Sequence, residues 1–247
     1  MKAPLATESG QVRRADAADD DLRRLAEALE GEPPEEVLAA AAARHPGRIA
    51  LACSFGPEDC LLVDVIARAR LPVDVFTLDT GYLFPETYQL WRDLEARYGL
   101  TIRAERPDAP PPDAGAPPPW EVDADGCCDL RKVRPLRAAL SRLGAWVTGI
   151  RRDQTPERAN ARAIEWDGRF GLEKVNPLTG WTSEQAWDDL RRRDVPVNPL
   201  HARGYPSIGC APCTSPVRPG EDPRAGRWRG SEKRECGLHL RPQSGKT

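Results

Sequence analysis

The chain of 247 residues is nearly neutral, with 36 Lys and Arg against 38 Asp and Glu and a formal net charge of -2. No global positive field argues for nucleic acid or an acidic membrane. No apolar run approaches the roughly 20 residues that span a bilayer. The first residues, MKAPLATESGQVRRADAADDD, carry acids and no apolar core, unlike a secretory signal or transit peptide, so a cytoplasmic location is expected. Seven cysteines in a reducing compartment point to metal or redox chemistry and not to a disulfide framework.

In chain order, residues 1–19 are polar and without periodicity and read as a disordered tail. Short Ala/Leu-rich helices are predicted around 20–30 and 35–44, separated by Gly31 and Pro33-Pro34. From Arg48 apolar runs alternate with amphipathic stretches: RIALACS, EDCLLVDVIARAR, PVDVFTLDT, FPETYQLWRDLEARYG, LTIRAER. This predicts an α/β domain with a Rossmann-like parallel sheet and helices on both faces. A Pro-rich loop at 107–119 precedes a predicted helix near 129–143, a strand AWVTGIR and a helix near 182–193. The domain is expected over 20–209. Residues 210–247, rich in Gly, Pro and Arg, read as a mobile C-terminal segment.

Three strand-end loops carry candidate chemistry. Ser54, Phe55 and Gly56 lie between strand and helix, where loop amides and a hydroxyl can face an anion, although Glu58 and Asp59 in the first helical turn would repel one. Leu78, Asp79, Thr80 and Gly81 leave the same sheet edge. A third loop, GIRRDQTPERA, adds Arg151, Arg152 and Arg158, whose planar forks suit phosphate and sulfate oxygens. Together they suggest a nucleotide-like anion.

The cysteines separate by setting. Cys127 and Cys128 are adjacent at the start of the predicted helix, and Cys210 and Cys213 form a C-x-x-C, so four thiols come in two pairs. The residues leave zinc and an iron-sulfur cluster open; the tandem pair fits one tetrahedral ion poorly and several irons better. Lys132, four residues beyond Cys128, shares its helical face. Cys236, in SEKRECGLH, follows Lys233 and Arg234, cations that favour thiolate. Cys53 and Cys60 lie in apolar runs and read as small buried hydrophobes. His45 and His201 have no identifiable partner. SGKT at 244–247 lacks the first Gly and the following helix of a P-loop.

SFGPED, LDTGYLFPETY, GCCDLRKVRPL, GIRRDQTPERA, GCAPCT and ECGLH, in this order between Arg48 and His239, resemble the assimilatory sulfonucleotide reductases, and in particular their adenylyl sulfate branch with a four-iron four-sulfur cluster. The resemblance implies that Cys127, Cys128, Cys210 and Cys213 hold the cluster. It implies that SFGPED and LDTG bind the nucleotide and that Cys236 attacks its sulfur to form a thiosulfonate. Lys132, Arg151, Arg152, Arg224 and Arg227 are the expected counter-charges. A separate thioredoxin is the expected reductant, and a homo-oligomer is left open. Reduction of phosphoadenylyl sulfate, or of both nucleotides, is the alternative. The wider fold class includes ATP-cleaving enzymes with a loop like SGGxDS. Here Phe55 replaces a Gly and Asp59 the terminal Ser, which argues against ATP cleavage.

Overall fold

The computed structural model describes residues 19–108, 117–230 and 233. The N-terminal tail up to residue 18, the middle of the Pro-rich loop at 109–116 and Cys236 lie outside the described residues. Six strands form one sheet: β1 (Ile49–Ala52), β2 (Asp74–Leu78), β3 (Ile102–Glu105), β4 (Ala145–Val147), β5 (Ile164–Asp167) and β6 (Leu172–Val175). Their order is β3-β2-β1-β4-β6-β5, parallel except for the antiparallel β5–β6 pair. The chain runs outward from β1 through β2 to β3, then returns to place β4 on the other side of β1. β1 and β4 thus flank a topological switch point, the place where open α/β sheets form their crevice.

Both faces of the sheet are covered, which is why its strands read as apolar runs. Ile49 and Leu51 of β1, Val75 of β2, and Ala145 and Val147 of β4 point into the larger core. That core is filled from α1 (residues 19–28), α2 (Pro34–Arg44), α3 (Pro57–Arg68), α4 (Pro85–Tyr98) and α8 (Ser183–Arg192). Ala50, Phe76 and Trp146 alternate to the opposite face, against Leu136, Ala139 and Leu140 of α7 (Arg134–Leu140). Helices begin where the sequence marks them. Pro opens α2, α3 and α4 at the first helical position, with Glu or Asp in the first turn and Arg in the last, matching the helix dipole. Among the described residues no helix is long and apolar enough to cross a membrane.

Three sequence expectations differ from the structure. The helix expected near 129–143 spans Ala124 to Leu140 in three pieces: α6 (Ala124–Cys128), a π-helical turn at Asp129–Val133, and α7. A short α5 (Pro119–Val122) precedes it, so Cys127 and Cys128 close a helical turn instead of opening a helix. The β5–β6 hairpin was not expected, because the sequence of β6, LEKV, breaks its apolar run with two charges. Both are buried and partnered. Glu173 accepts from Arg44 Nε at 2.8 Å and lies 2.7 Å from His45 Nε2, and Lys174 lies 5.6 Å from the centroid of the Trp146 ring. His45 therefore has the partner that the sequence did not reveal. Finally, residues 210–230 are not a loose tail: Cys210 bridges Leu83 and Thr214 bridges Arg227 as isolated β-bridges, and Trp228 is buried.

Glu173 clasps α2 to β6 through one carboxylate. Glu173→Ala should lower unfolding stability by about 1–2 kcal/mol, since Arg44 and His45 lose a charged acceptor but retain some access to water. A thermal melt within a degree of the parent would show that the clasp contributes nothing.

Candidate active site

The loops leaving β1, β2 and β4 at their carboxyl ends meet the C-terminal segment. After β1, Phe55 adopts a left-handed φ of 63° yet is buried and stacks on Trp91 with ring centroids 5.7 Å apart. A bulky residue in this conformation costs on the order of 1–3 kcal/mol, which aromatic burial offsets. Gly56 caps α3, with Pro57, Glu58 and Asp59 in its first turn. Ser54 does not present free donors: its N–H and its hydroxyl both donate to Asp59 Oδ2 at 2.6 Å. Burial pushes the Asp59 carboxyl up, against the pull of Ser54, the Gly149 N–H and Arg158.

Arg151 and Arg152 of the arginine loop, expected from the sequence to meet the anion, are paired within the protein. Arg151 is buried and ion-paired to Glu58, and its Nε donates to Asp153 at 2.9 Å. Gln154 Nε2 also donates to Glu58, at 3.2 Å. Arg152 reaches away from the crevice to grip Glu30 beyond α1, with bonds of 2.6 and 2.7 Å, and donates to the Ala161 carbonyl. Glu58, Asp59 and Arg151 thus build the wall of the crevice, and Arg152 ties it to Glu30 from outside.

The loop after β2 is a junction. Leu78 ends the strand. The Asp79 carboxylate accepts from Tyr88 Oη at 2.7 Å, Arg106 Nε at 3.0 Å and Gly81 N–H at 3.1 Å. Burial and the facing Asp79 push the Tyr88 phenol up to about 12. Thr80 is buried, with its Oγ1 3.3 Å from Cys210 Sγ. Its carbonyl accepts from Arg131 Nη1 at 3.1 Å, and that guanidinium lies over the Tyr82 ring at 4.5 Å. Arg131 is a residue the sequence reading missed; its signal was only that it lies in GCCDLRKVRPL.

Three of the four paired thiols are brought together. Cys210 and Cys127 act on Cys213, and Cys210 acts on Cys127. Burial comes first in raising both the Cys127 and the Cys213 thiol, and the neighbouring thiols add to it. Arg131 and Lys132 oppose the rise at Cys127, and Lys132 and Arg227 oppose it at Cys213. Cys128 is buried beside Cys127. All four are free thiols. Among the described residues no three His, Cys, Asp or Glu side chains form a single-ion site. Arg227 lies over the Trp228 ring at 4.7 Å and donates to Ser207 Oγ and the Ile208 carbonyl, passing close to Gly209, where a Cβ would collide with it. Arg224 is within electrostatic reach of Glu157 in the arginine loop.

Lys233, beyond this segment, pairs with Asp125 of α6 and lies 5.6 Å from the centroid of the Trp228 ring. The chain is therefore fixed beside the paired cysteines three residues before Cys236. Cys53 and Cys60, as expected from the sequence, are buried, and burial pushes both thiols up.

This geometry defines an α/β protein of the nucleotide-crevice type with a thiol-lined mouth. Residues 48–216 match the phosphoadenosine phosphosulfate reductase domain family, and the chain belongs to that family. It is 47% identical over 210 residues to adenosine 5'-phosphosulfate reductase of Allochromatium vinosum, covering 80% of this chain and 81% of that one. It is 42% identical to phosphoadenosine 5'-phosphosulfate reductase of Gloeobacter violaceus, covering 88% and 93%. The crystal structure of phosphoadenylyl-sulfate reductase from Candida auris, a phosphate complex, superposes with a TM-score of 0.70 at 30% identity, covering 79% of this chain and 96% of that chain. FMN adenylyltransferase of Candida glabrata, at 16% identity over 77% of this chain and 63% of that chain, shares the fold with a TM-score of 0.56.

In metal-free protein at neutral pH, Cys127 and Cys213 should alkylate well before Cys53 and Cys60, because only the first pair is partly exposed. Peptide mapping that finds Cys53 or Cys60 modified at an equal rate would contradict this core.

Proposed function

We propose that this chain reduces adenylyl sulfate to sulfite and AMP for sulfate assimilation, with Cys236 as nucleophile, a separate thioredoxin as reductant and a four-iron four-sulfur cluster on Cys127, Cys128, Cys210 and Cys213. The observation that carries the reading is the seat of Lys233. Lys233 pairs with Asp125 of α6, so that Cys236, three residues further on and within about 11 Å of chain, can reach the mouth of the crevice. Relatives named adenosine 5'-phosphosulfate reductase at 47% and 43% identity support the substrate.

The Cys236 thiolate attacks the sulfur of the sulfonate. The sulfur–oxygen bond to the phosphate breaks, AMP leaves with the electron pair, and a Cys–S–sulfonate remains. A thioredoxin thiolate then attacks the Cys236 sulfur, sulfite departs with the bonding pair, and the second thioredoxin thiol resolves the mixed disulfide to return Cys236. Thioredoxin supplies the two electrons. Lys132, Arg224 and Arg227 are the cations best disposed to offset charge at the sulfonate. Arg151 and Arg152 serve as supports of the crevice wall, holding Glu58 and Glu30. The loop after β2, from Leu78 to Gly81, lines the nucleotide side.

What supports the cluster reading is that Cys127, Cys210 and Cys213 act on one another and Cys128 is adjacent to Cys127 in sequence, a tandem pair that suits donors to separate irons better than donors to one zinc. When bound, the cluster supplies a charged, polarisable neighbour to the sulfonate. Thr80 and Arg131 then order its protein ligands.

Cys236→Ser should keep iron and visible colour and lose all sulfite production, whereas Cys210→Ser should lose the colour. Parent enzyme given adenylyl sulfate without thioredoxin should release one AMP per chain and carry one sulfite on the Cys236 peptide. A sulfite adduct on any other cysteine would overturn the assignment. The Gloeobacter relative favours a second reading, phosphoadenylyl sulfate as an additional substrate. Comparing kcat/KM for the two nucleotides decides between strict and dual specificity.

A further inference from the structure

Two large apolar side chains stand exposed among the described residues, Val122 at 69% and Trp166 at 57%. Trp166 lies on β5 at the edge of the sheet, four strand spacings or about 19 Å from β2. Val122 ends α5, which is seated on the β2 loop: the Trp120 ring meets the Tyr82 ring edge-on at 4.7 Å, and the Arg131 guanidinium lies over Tyr82. The corner from α5 into α6 is closed tightly. Asp123 accepts from the Asp125 and Gly126 N–H groups at 3.0 and 2.9 Å, and a Cβ on residue 126 would collide with its carboxylate. Trp120 is thereby committed inward and Val122 held outward. A single exposed apolar side chain is ordinary on a surface, so its place and not its exposure carries weight. Asp125, three residues on, holds Lys233, whose side chain is nearly buried there. The chain leading to Cys236 thus sets out from the corner that presents Val122.

We infer that Val122 is the apolar centre of the docking surface for the reductant, rimmed by Glu121, Asp123 and Asp125, and that it fits a thioredoxin whose surface is apolar around its dithiol and neutral or basic at the edge of that patch. The identity of the partner rests on the reductase reading. A thiolate of a second protein must reach the Cys236 sulfur, and a specific contact covers about 800 Å² of each partner, a disc of about 16 Å radius. A disc of that size around a thiol held within about 11 Å of chain from Lys233 takes in the α5–α6 corner. The centres of such contacts are apolar and exclude water, with charge at the rim. Val122 among three exposed acids has this arrangement, and the tight corner holds it ready. Acids on the partner opposite Glu121 and Asp123 would be repelled, which sets the sign of the surface that fits.

The test separates the two half-reactions in the full, iron-loaded chain. Val122→Glu should raise the KM for reduced thioredoxin about tenfold, the scale of one side chain at the centre of an interface, with kcat at saturating thioredoxin unchanged. AMP release in the absence of thioredoxin, one per chain, should stay at the parental rate, because that half-reaction needs no partner. Trp166→Glu places the same charge on the other exposed apolar residue and should leave both half-reactions as they are. Iron content and a cooperative thermal melt establish that each variant is intact. If Val122→Glu is not, Val122→Ala carries the test, with a rise in KM of about threefold expected from the lost apolar contact. A parent that releases no AMP overturns the reductase reading and this inference with it. A parent that turns over, beside an intact Val122→Glu or, failing that, Val122→Ala with parental KM, overturns this inference alone; so does an equal rise in KM in Trp166→Glu.

Discussion

The arrangement depends on the hold that the β2 loop has on Cys210. Leu83 and Cys210 pair as a β-bridge, Ala211 N–H donates to the Tyr82 carbonyl at 2.7 Å, and Thr80 Oγ1 touches the Cys210 sulfur. A segment with little periodicity is thereby stitched to the carboxyl edge of the sheet. From this stitch follow the proximity of Cys213 to Cys127, the reach of Arg227 toward the thiols and the position of Trp228, on whose ring Lys233 rests. Removing the bridge would leave the C-x-x-C with no fixed relation to α6.

Charge is distributed with the same economy. The crevice contains several arginines, yet two of those that sequence inspection singles out are spent on the protein's own carboxylates: Arg151 on Glu58 and Asp153, Arg152 on Glu30. Buried groups of this kind are retained when each has a partner, since an unpartnered buried charge is costly. The cations left to influence the thiols come from the turn after α6 and from the C-terminal segment, Arg131, Lys132 and Arg227. In the proposed function, a reacting anion meets this positive charge at the mouth of the crevice and not at its base.

Much of this was legible in sequence because the informative signals are contiguous. Strand-loop-helix segments such as RIALACSFGPED reveal both an element and the loop at its end, and paired cysteines advertise themselves by spacing. What was not legible involves partners remote in the chain. Arg152 and Glu30 are separated by 122 residues, and nothing local to either predicts the pair. LEKV does not read as a buried strand, because the acceptors and ring that satisfy Glu173 and Lys174 come from α2, His45 and β4. The C-terminal segment looks loose because its order comes from isolated bridges and Trp228 packing, neither of which leaves a periodic trace.

The π-helical turn at Asp129–Val133 has a consequence for how this region tolerates change in length. Such a turn holds one residue more than an α-helical turn would over the same rise. It lets Cys127 and Lys132, five apart, act on one another while Leu136, Ala139 and Leu140 keep their apolar stripe against Phe76 and Trp146. Two helical phases are joined there, one set by the thiols and one by the sheet. Were these five residues wound as regular α-helix, one phase would turn against the other by roughly a quarter turn, so that the cysteines and the core could not both be satisfied. Straightening this turn would therefore demand a compensating change in length, whereas its outward-facing positions can vary in composition without one.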